Sequence, residues 1–196
     1  MLGQSCRIRC LPPVLVFFYG VLTAPAVAAS LEVDPELRRH LEQAINSSDS
    51  FRDRFEAEVW LMDMSSRLAR FVADTEQRLH LLKLVHYEAS RVNLPPEMVL
   101  AVIQVESRFD RWAISVAGAQ GLMQVMPFWL KEIGRPEDSL FDMETNLRLG
   151  CRILRYYYDK ERGDWVRALA RYNGSLGSRR YPDKVLRVLR RNWFRN

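Results

Sequence analysis

Cysteine is scarce in this chain of 196 residues. Cys6 and Cys10 lie ahead of an N-terminal apolar run, not at its end where a lipid-bearing cysteine would stand, and Cys151 is the third. A chain matured by loss of that run keeps Cys151 alone, which rules out an internal disulfide. Cys151 sits on the helical stripe Leu147, Gly150, Cys151, Leu154, Tyr158 and reads as a small packing residue. A cysteine nucleophile would want a histidine, and His40, His80 and His86 all lie upstream on polar or mixed segments, with nothing that pairs them to it. Also missing are repeats of solenoid length, low-complexity tracts and convincing β alternation. The expected fold class is therefore mainly α, and a composition 48% hydrophobic and 27% charged fits one globular domain with an ordinary core.

The apolar run LPPVLVFFYGVL follows Arg7 and Arg9 and leads into APAVAAS. That order of basic flank, apolar stretch and small-residue cleavage site marks an export signal. Pro12 and Pro13 interrupt the run and it falls short of the ~20 residues of a membrane span, so cleavage near Ala28 or Ala29 is expected rather than an uncleaved anchor. Residues 1–29 are thus read as a signal peptide, 30–84 as an N-terminal helical extension and 85–196 as the main domain, with the mature protein periplasmic. Charge is unevenly spread: residues 148–196 hold fourteen Lys/Arg against four Asp/Glu, whereas 30–147 hold thirteen against twenty. The basic end could meet nucleic acid, anionic lipid or an anionic wall polymer, or be a solvated arginine-rich helix face. No nucleic-acid motif accompanies it.

Helix starts and stops are legible. Asp34 and Pro35 open a segment running to about Ile45, and NSSDS makes a loop or the next cap. Phe51, Phe55, Val59, Met62, Ser66, Ala69 and Ala73 keep helical spacing, as do Leu81, Leu84, Val85, Ala89 and Val92. Asn93 can close that helix, while Pro95 and Pro96 open one over about 95–109. Further helices are expected at roughly 122–133, 143–160 with Asp142 as N-cap, 164–172 with Asp164 as N-cap, and 182–192.

The helix at 95–109 is apolar on almost every side, which means it is buried. Yet Glu106 continues the stripe of Val99, Val102 and Ile103. A carboxyl taken out of water has a raised pKa, and such an acid can give a proton near neutral pH and take one back in the same cycle. Position alone equally allows a side chain that bends out to solvent. In the following VAGAQGLMQ, Gly118 and Gly121 permit a tight turn and close approach, while Ser115 and Gln124 offer hydroxyl and amide groups suited to sugars and their N-acetyl substituents. Met123, Met126 and Trp129 add apolar surface.

ESRF at 106–109, A-x-S-x-x-G-A-x-G-L-M-Q-V-M-P at 113–127 and ALARYNGS at 168–175, in that order, resemble the catalytic domain of the soluble lytic transglycosylase (SLT) type. These are relatives of goose-type lysozyme that cut peptidoglycan, and the similarity covers about residues 85 to 190. The resemblance implies a lysozyme-like helical domain around a buried central helix. It implies Glu106 as the single catalytic acid and base, with Ser107 as its motif partner. Ser115, Gln124 and Met126 would line the glycan groove, and Gly121, Leu122 and Met123 would shape its wall. Tyr172 would approach the catalytic carboxylate, with Asn173 supporting the site from the same turn.

The implied reaction is cleavage of the β-1,4 bond between N-acetylmuramic acid and N-acetylglucosamine, with the muramic 6-hydroxyl closing a 1,6-anhydro end, by a monomer without metal or cofactor. The partners implied are peptidoglycan glycan strands, with a cell-envelope protein as a further candidate and no nucleic acid. Arg171 stands where the family has a small residue, which points to altered subsite preference. Tyr181 is a candidate for that altered groove, or a packing aromatic. Asp110, one turn past Glu106, is read as a loop tether; as a second carboxylate it would instead make a lysozyme-like hydrolase. A non-catalytic wall binder is the remaining alternative, disfavoured because a binder needs no buried Glu.

Overall fold

Aspartate caps set where most of the helices begin. The computed structural model describes residues 39–42, 44, 50–51 and 53–194, so the expected signal peptide and cleavage site lie outside the described residues. Helix α1, Arg54–Leu68, starts at Asp53, whose carboxylate accepts from the Glu56 N–H at 2.7 Å. Helix α2, Thr75–Arg91, is capped in the same way by Asp74 on Gln77. The sequence reading had joined Phe51 to Ala73 and begun the next helix only near Leu81. Helix α3, Pro96–Glu106, has two prolines in place of a side-chain cap. A short α4, Phe128–Ile133, precedes the long α5, Met143–Lys160, and α6, Trp165–Tyr172, on their expected caps Asp142 and Asp164. Helix α7, Arg180–Val188, continues into a π-helical turn, Leu189–Trp193.

Helix ends follow backbone handedness. Asn93, at φ +52°, sits in the left-handed region while the Leu94 N–H reaches the Ala89 carbonyl and the Asn93 N–H that of Ser90, a Schellman closure with asparagine in the usual glycine place. Gly174 at φ +73° closes α6 by the same pair of bonds, from Ser175 to Ala170 and from Gly174 to Arg171. Asn173 itself remains right-handed, so only the glycine makes that step. Two expectations are corrected here. Helix α3 stops at Glu106 and not at 109, because Arg108 and Phe109 adopt φ of +55° and +70°. The helix expected over 122–133 is confined to Phe128–Ile133, because left-handed Gly121 and Gln124 turn residues 120–125 into a bridged loop. Among the described residues there is no β-strand, only the isolated bridges Ile114–Gln120 and Gln120–Val125.

Burial is deepest in α3. Met98 through Ile103 are all buried, five of those six completely, and α2, α7 and the π-helical turn pack around this helix. A helix apolar all round needs neighbours on every side. Cys151 is buried, and burial pushes its thiol pKa far up, as befits a packing residue.

Candidate active site

Glu106 is the last residue of that central helix. Beyond it, the two consecutive left-handed residues Arg108 and Phe109 swing the chain sideways, a conformation that costs free energy in non-glycine residues and persists only where surroundings enforce it. Ser107 is part of that enforcement. It is buried, its hydroxyl donates to the Leu122 carbonyl at 2.8 Å, and its oxygen receives the Phe109 N–H at 3.2 Å. Ser107, expected as the motif partner of Glu106, ties the end of α3 to the glycine loop.

The loop is locked from below by a residue the sequence reading did not single out. Asn146 on α5 is 1% exposed; it accepts from the Met123 N–H at 2.8 Å and donates to the carbonyls of Gln120 and Leu140 at 2.9 and 2.8 Å. Gly121, at φ +75°, fits against this amide: a Cβ there would stand 2.3 Å from both Asn146 Nδ2 and the Leu140 oxygen. One turn further along α5, a Cβ on Gly150 would stand 2.4 Å from Met123 Sδ. Polar Asn146 and small Gly150 at i and i+4 are the sequence signal of a helix face pressed against a loop.

Several expected groove residues therefore face inward. Leu122 and Met123 are buried core side chains. Gln124 donates its amide N–H groups to the carbonyls of Ala113 and Gly121, both at 3.0 Å. Ser115 Oγ accepts from the Ala119 N–H at 3.0 Å. Met126 is half-buried, and Asn173 is exposed at the end of α6. Asp110 Oδ1 accepts from the Trp112 N–H at 2.9 Å, a turn tether.

Two tyrosines bracket the carboxylate. Tyr172, expected to approach it, lies near enough to feel the Glu106 charge while its hydroxyl donates to the Met123 carbonyl at 2.8 Å. The direct hydrogen bond comes from Tyr181, whose hydroxyl donates to Glu106 Oε1 at 2.5 Å. Pro182 in the first turn marks a helix start, but nothing local said which side chain would meet Tyr181 from 75 residues away. Burial raises the pKa of Glu106, opposed by the Tyr181 hydrogen bond and by the positive charge of Lys184. Burial also raises both tyrosines, and the Glu106 charge adds to it. Arg171 is turned elsewhere: with Arg167 it pairs with Glu161, at the end of α5. Its guanidinium is thus engaged away from the carboxylate. Among the described residues no cluster of His, Cys, Asp or Glu is placed to hold a metal ion.

The site is therefore one carboxyl, largely shielded, positioned by a tyrosine, over a loop held rigid by buried hydrogen bonds. Residues 83–186 match the model of the transglycosylase SLT domain. This chain belongs to the transglycosylase SLT domain family. Its similar relatives include the membrane-bound lytic murein transglycosylase C of Yersinia pestis, 35% identical over 130 residues, covering 58% of this chain and 35% of that protein. A transglycosylase of Enterobacteria phage PRD1 is 33% identical over 106 residues, covering 50% of this chain and 39% of the phage protein. The chain thus spans little more than a third of the length of these curated relatives. The solved 70 kDa soluble lytic transglycosylase of Escherichia coli superposes with a TM-score of 0.44 at 21% identity, covering 78% of this chain and 28% of that one. Glu106, Asn146, Tyr172 and Tyr181 all fall inside the matched SLT segment, whereas α1 and the π-helical turn fall outside it.

Proposed function

We propose that this chain is a peptidoglycan lytic transglycosylase with Glu106 as its one catalytic acid and base. The observation that carries the reading is the Glu106 carboxyl itself, raised by burial at the end of the central helix and engaged by Tyr181 through Oε1. Membership of the SLT family supports it. With Oε1 occupied, Oε2 is left to carry the proton. In its acid form Glu106 protonates the oxygen bridging N-acetylmuramic acid and N-acetylglucosamine. The bond from the anomeric carbon to that oxygen breaks while the N-acetyl carbonyl oxygen closes on the anomeric carbon. The muramic 6-hydroxyl then attacks the same carbon, displacing the carbonyl oxygen and restoring the N-acetyl group, and its proton passes to the Glu106 carboxylate, which restores the acid and leaves a 1,6-anhydro end. Water is not consumed, and no step calls for a metal or cofactor.

The tether of Asp110 to the Trp112 N–H favours this one-carboxylate scheme over a two-carboxylate hydrolase, which would need a second acid free to hold water. In the same reading Tyr181 positions the acid, while Ser107, Ser115, Gly121, Leu122, Met123, Gln124 and Tyr172 build the wall of the groove. Met126 and Asn173 are proposed to meet the glycan. Such a reaction belongs where peptidoglycan is, in keeping with the export signal read at residues 1–29. No helix among the described residues is long and apolar enough to cross a membrane. Mass spectrometry of peptidoglycan digested by the full chain tests the scheme: anhydro-muramic ends are expected, and reducing ends would overturn it.

A further inference from the structure

Helix α7 shows the solvent a face of one charge. Arg180, Lys184 and Arg187 recur at i, i+4 and i+7, and Arg190 and Arg191 follow in the π-helical turn. All five are exposed, and none forms an ion pair with any described residue. The opposite side is taken up by packing: Pro182, Val185 and Trp193 are buried, and α7 lies against α3 and α6. Asp183 is the one acid between Ser175 and Phe194, and Arg179 pairs with it at 3.3 Å. Like charges at i and i+4 destabilise a helix, and a solvated face relieves that by mixing signs. Here the repulsion stands unrelieved. Arg70 and Arg108, also exposed and unpaired, share with Lys184 a cavity of about 500 Å³ lined by no acidic residue. The basic surface therefore runs on from α7 over the turn after α1 and the end of α3.

Two exposed apolar side chains flank the stripe. Leu176, 49% exposed, lies in the turn before α7, and Phe194, 58% exposed, directly follows the π-helical turn. Cations alone would serve any polyanion. Cations bordered by apolar groups fit a surface that carries anionic phosphates over hydrocarbon, where the charged heads stay with the phosphates and the apolar groups sink between them. A hydrated wall glycan has no hydrocarbon layer to receive a leucine and a phenylalanine. Arg187, Arg190, Arg191 and Phe194 lie outside the matched segment 83–186, so this end of the surface is no part of what the family model describes.

We infer that the outer face of α7 and its π-helical turn docks on an anionic phospholipid surface, with Arg180, Lys184, Arg187, Arg190 and Arg191 against the phosphates and Leu176 and Phe194 between the headgroups. The contact is peripheral, and it stands whether or not the lytic reading does. The test floats the full chain with vesicles of phosphatidylethanolamine, alone or with about a third of phosphatidylglycerol. Anionic vesicles are expected to bind more tightly, R187Q/R191Q to weaken that binding about tenfold, and R187E/R191E about a hundredfold. Parent and variants share residues 1–29, so any hold of that apolar run on lipid cancels in the comparison. High salt should shrink the charge effect, and F194A should lower the binding that survives it. Both arginines are exposed, so the variants should melt with their parent, and the glutamine pair keeps the test open if the reversed pair does not fold. Equal binding to both kinds of vesicle, or R187E/R191E binding anionic vesicles like its parent, overturns the docking face. A double variant that keeps its hold on vesicles but loses purified sacculi would give the face to the wall polymer, and overturns it likewise.

Discussion

Replacing Glu106 with glutamine keeps the shape of the side chain and its acceptor for Tyr181 while removing the proton. Turnover should fall roughly 10³-fold, with binding to sacculi retained. The same substitution has a stability consequence with a definite sign. Burial raises the Glu106 pKa in the folded chain, so between the ordinary carboxyl value and the raised one the native state holds more protons than the unfolded state, and stability falls as pH rises through that window. E106Q escapes this loss. Its melting temperature should therefore exceed that of the parent by more at pH 8 than at pH 4, at roughly 2–4 °C per kcal/mol; a pH-independent difference would contradict the assignment. Tyr181 pulls in the other direction, since its hydrogen bond lowers the Glu106 pKa. Tyr181→Phe should shift the basic limb of the pH–activity profile upward and cut turnover about tenfold. In Tyr172→Phe the lost bond is the one to the Met123 carbonyl, so that limb should stay in place.

At the scale of the element, the loop 113–127 is shaped by what a glycine permits. Gly118→Ala meets open space at φ +85° and should cost only the left-handed strain, about 1 kcal/mol. Gly121→Ala drives a methyl into Asn146 and the Leu140 carbonyl. It should destabilise by about 3 kcal/mol or more and damage turnover as the wall shifts, as denaturant unfolding and a lysis assay would show. Much of this level was legible beforehand. Asp142 and Asp164 capped the helices where expected because an aspartate before an apolar periodic run satisfies N–H groups locally. The loop after residue 121 was misread as helix because Leu122, Met123 and Met126 carry helical spacing, while the handedness of Gln124 is imposed by bonds to Ala113 and Gly121 that no local pattern records. Glu106 was found because an acid on an apolar stripe is a local anomaly. Tyr181 was legible as a groove candidate but not as the partner of the acid, and Asn146 was not legible at all, because those roles exist only once α7 and α5 have docked.

Across the whole molecule the chain's last helical turn is bound to its centre. Trp193 is fully buried, packs edge-on to Phe109 at 5.7 Å and donates to Gln104 on α3, while Arg67 on α1 donates to the Asn192 carbonyl at 3.1 Å. The segment that ends the described chain thus braces both the helix bearing Glu106 and a helix outside the SLT match. Trp193→Ala should cost about 3–5 kcal/mol and lower the melting temperature by roughly 10 °C. A shift of only a degree or two would mean that the brace does not hold.

The chemistry depends on Glu106 holding its proton above the ordinary glutamate range. Carbon-13 NMR titration of glutamate side-chain carboxyls, with the Glu106 resonance assigned by its loss in E106Q, observes that proton directly. The Glu106 carboxyl should titrate above an ordinary glutamate and move higher still in Tyr181→Phe. A Glu106 that titrates with the exposed glutamates would contradict it.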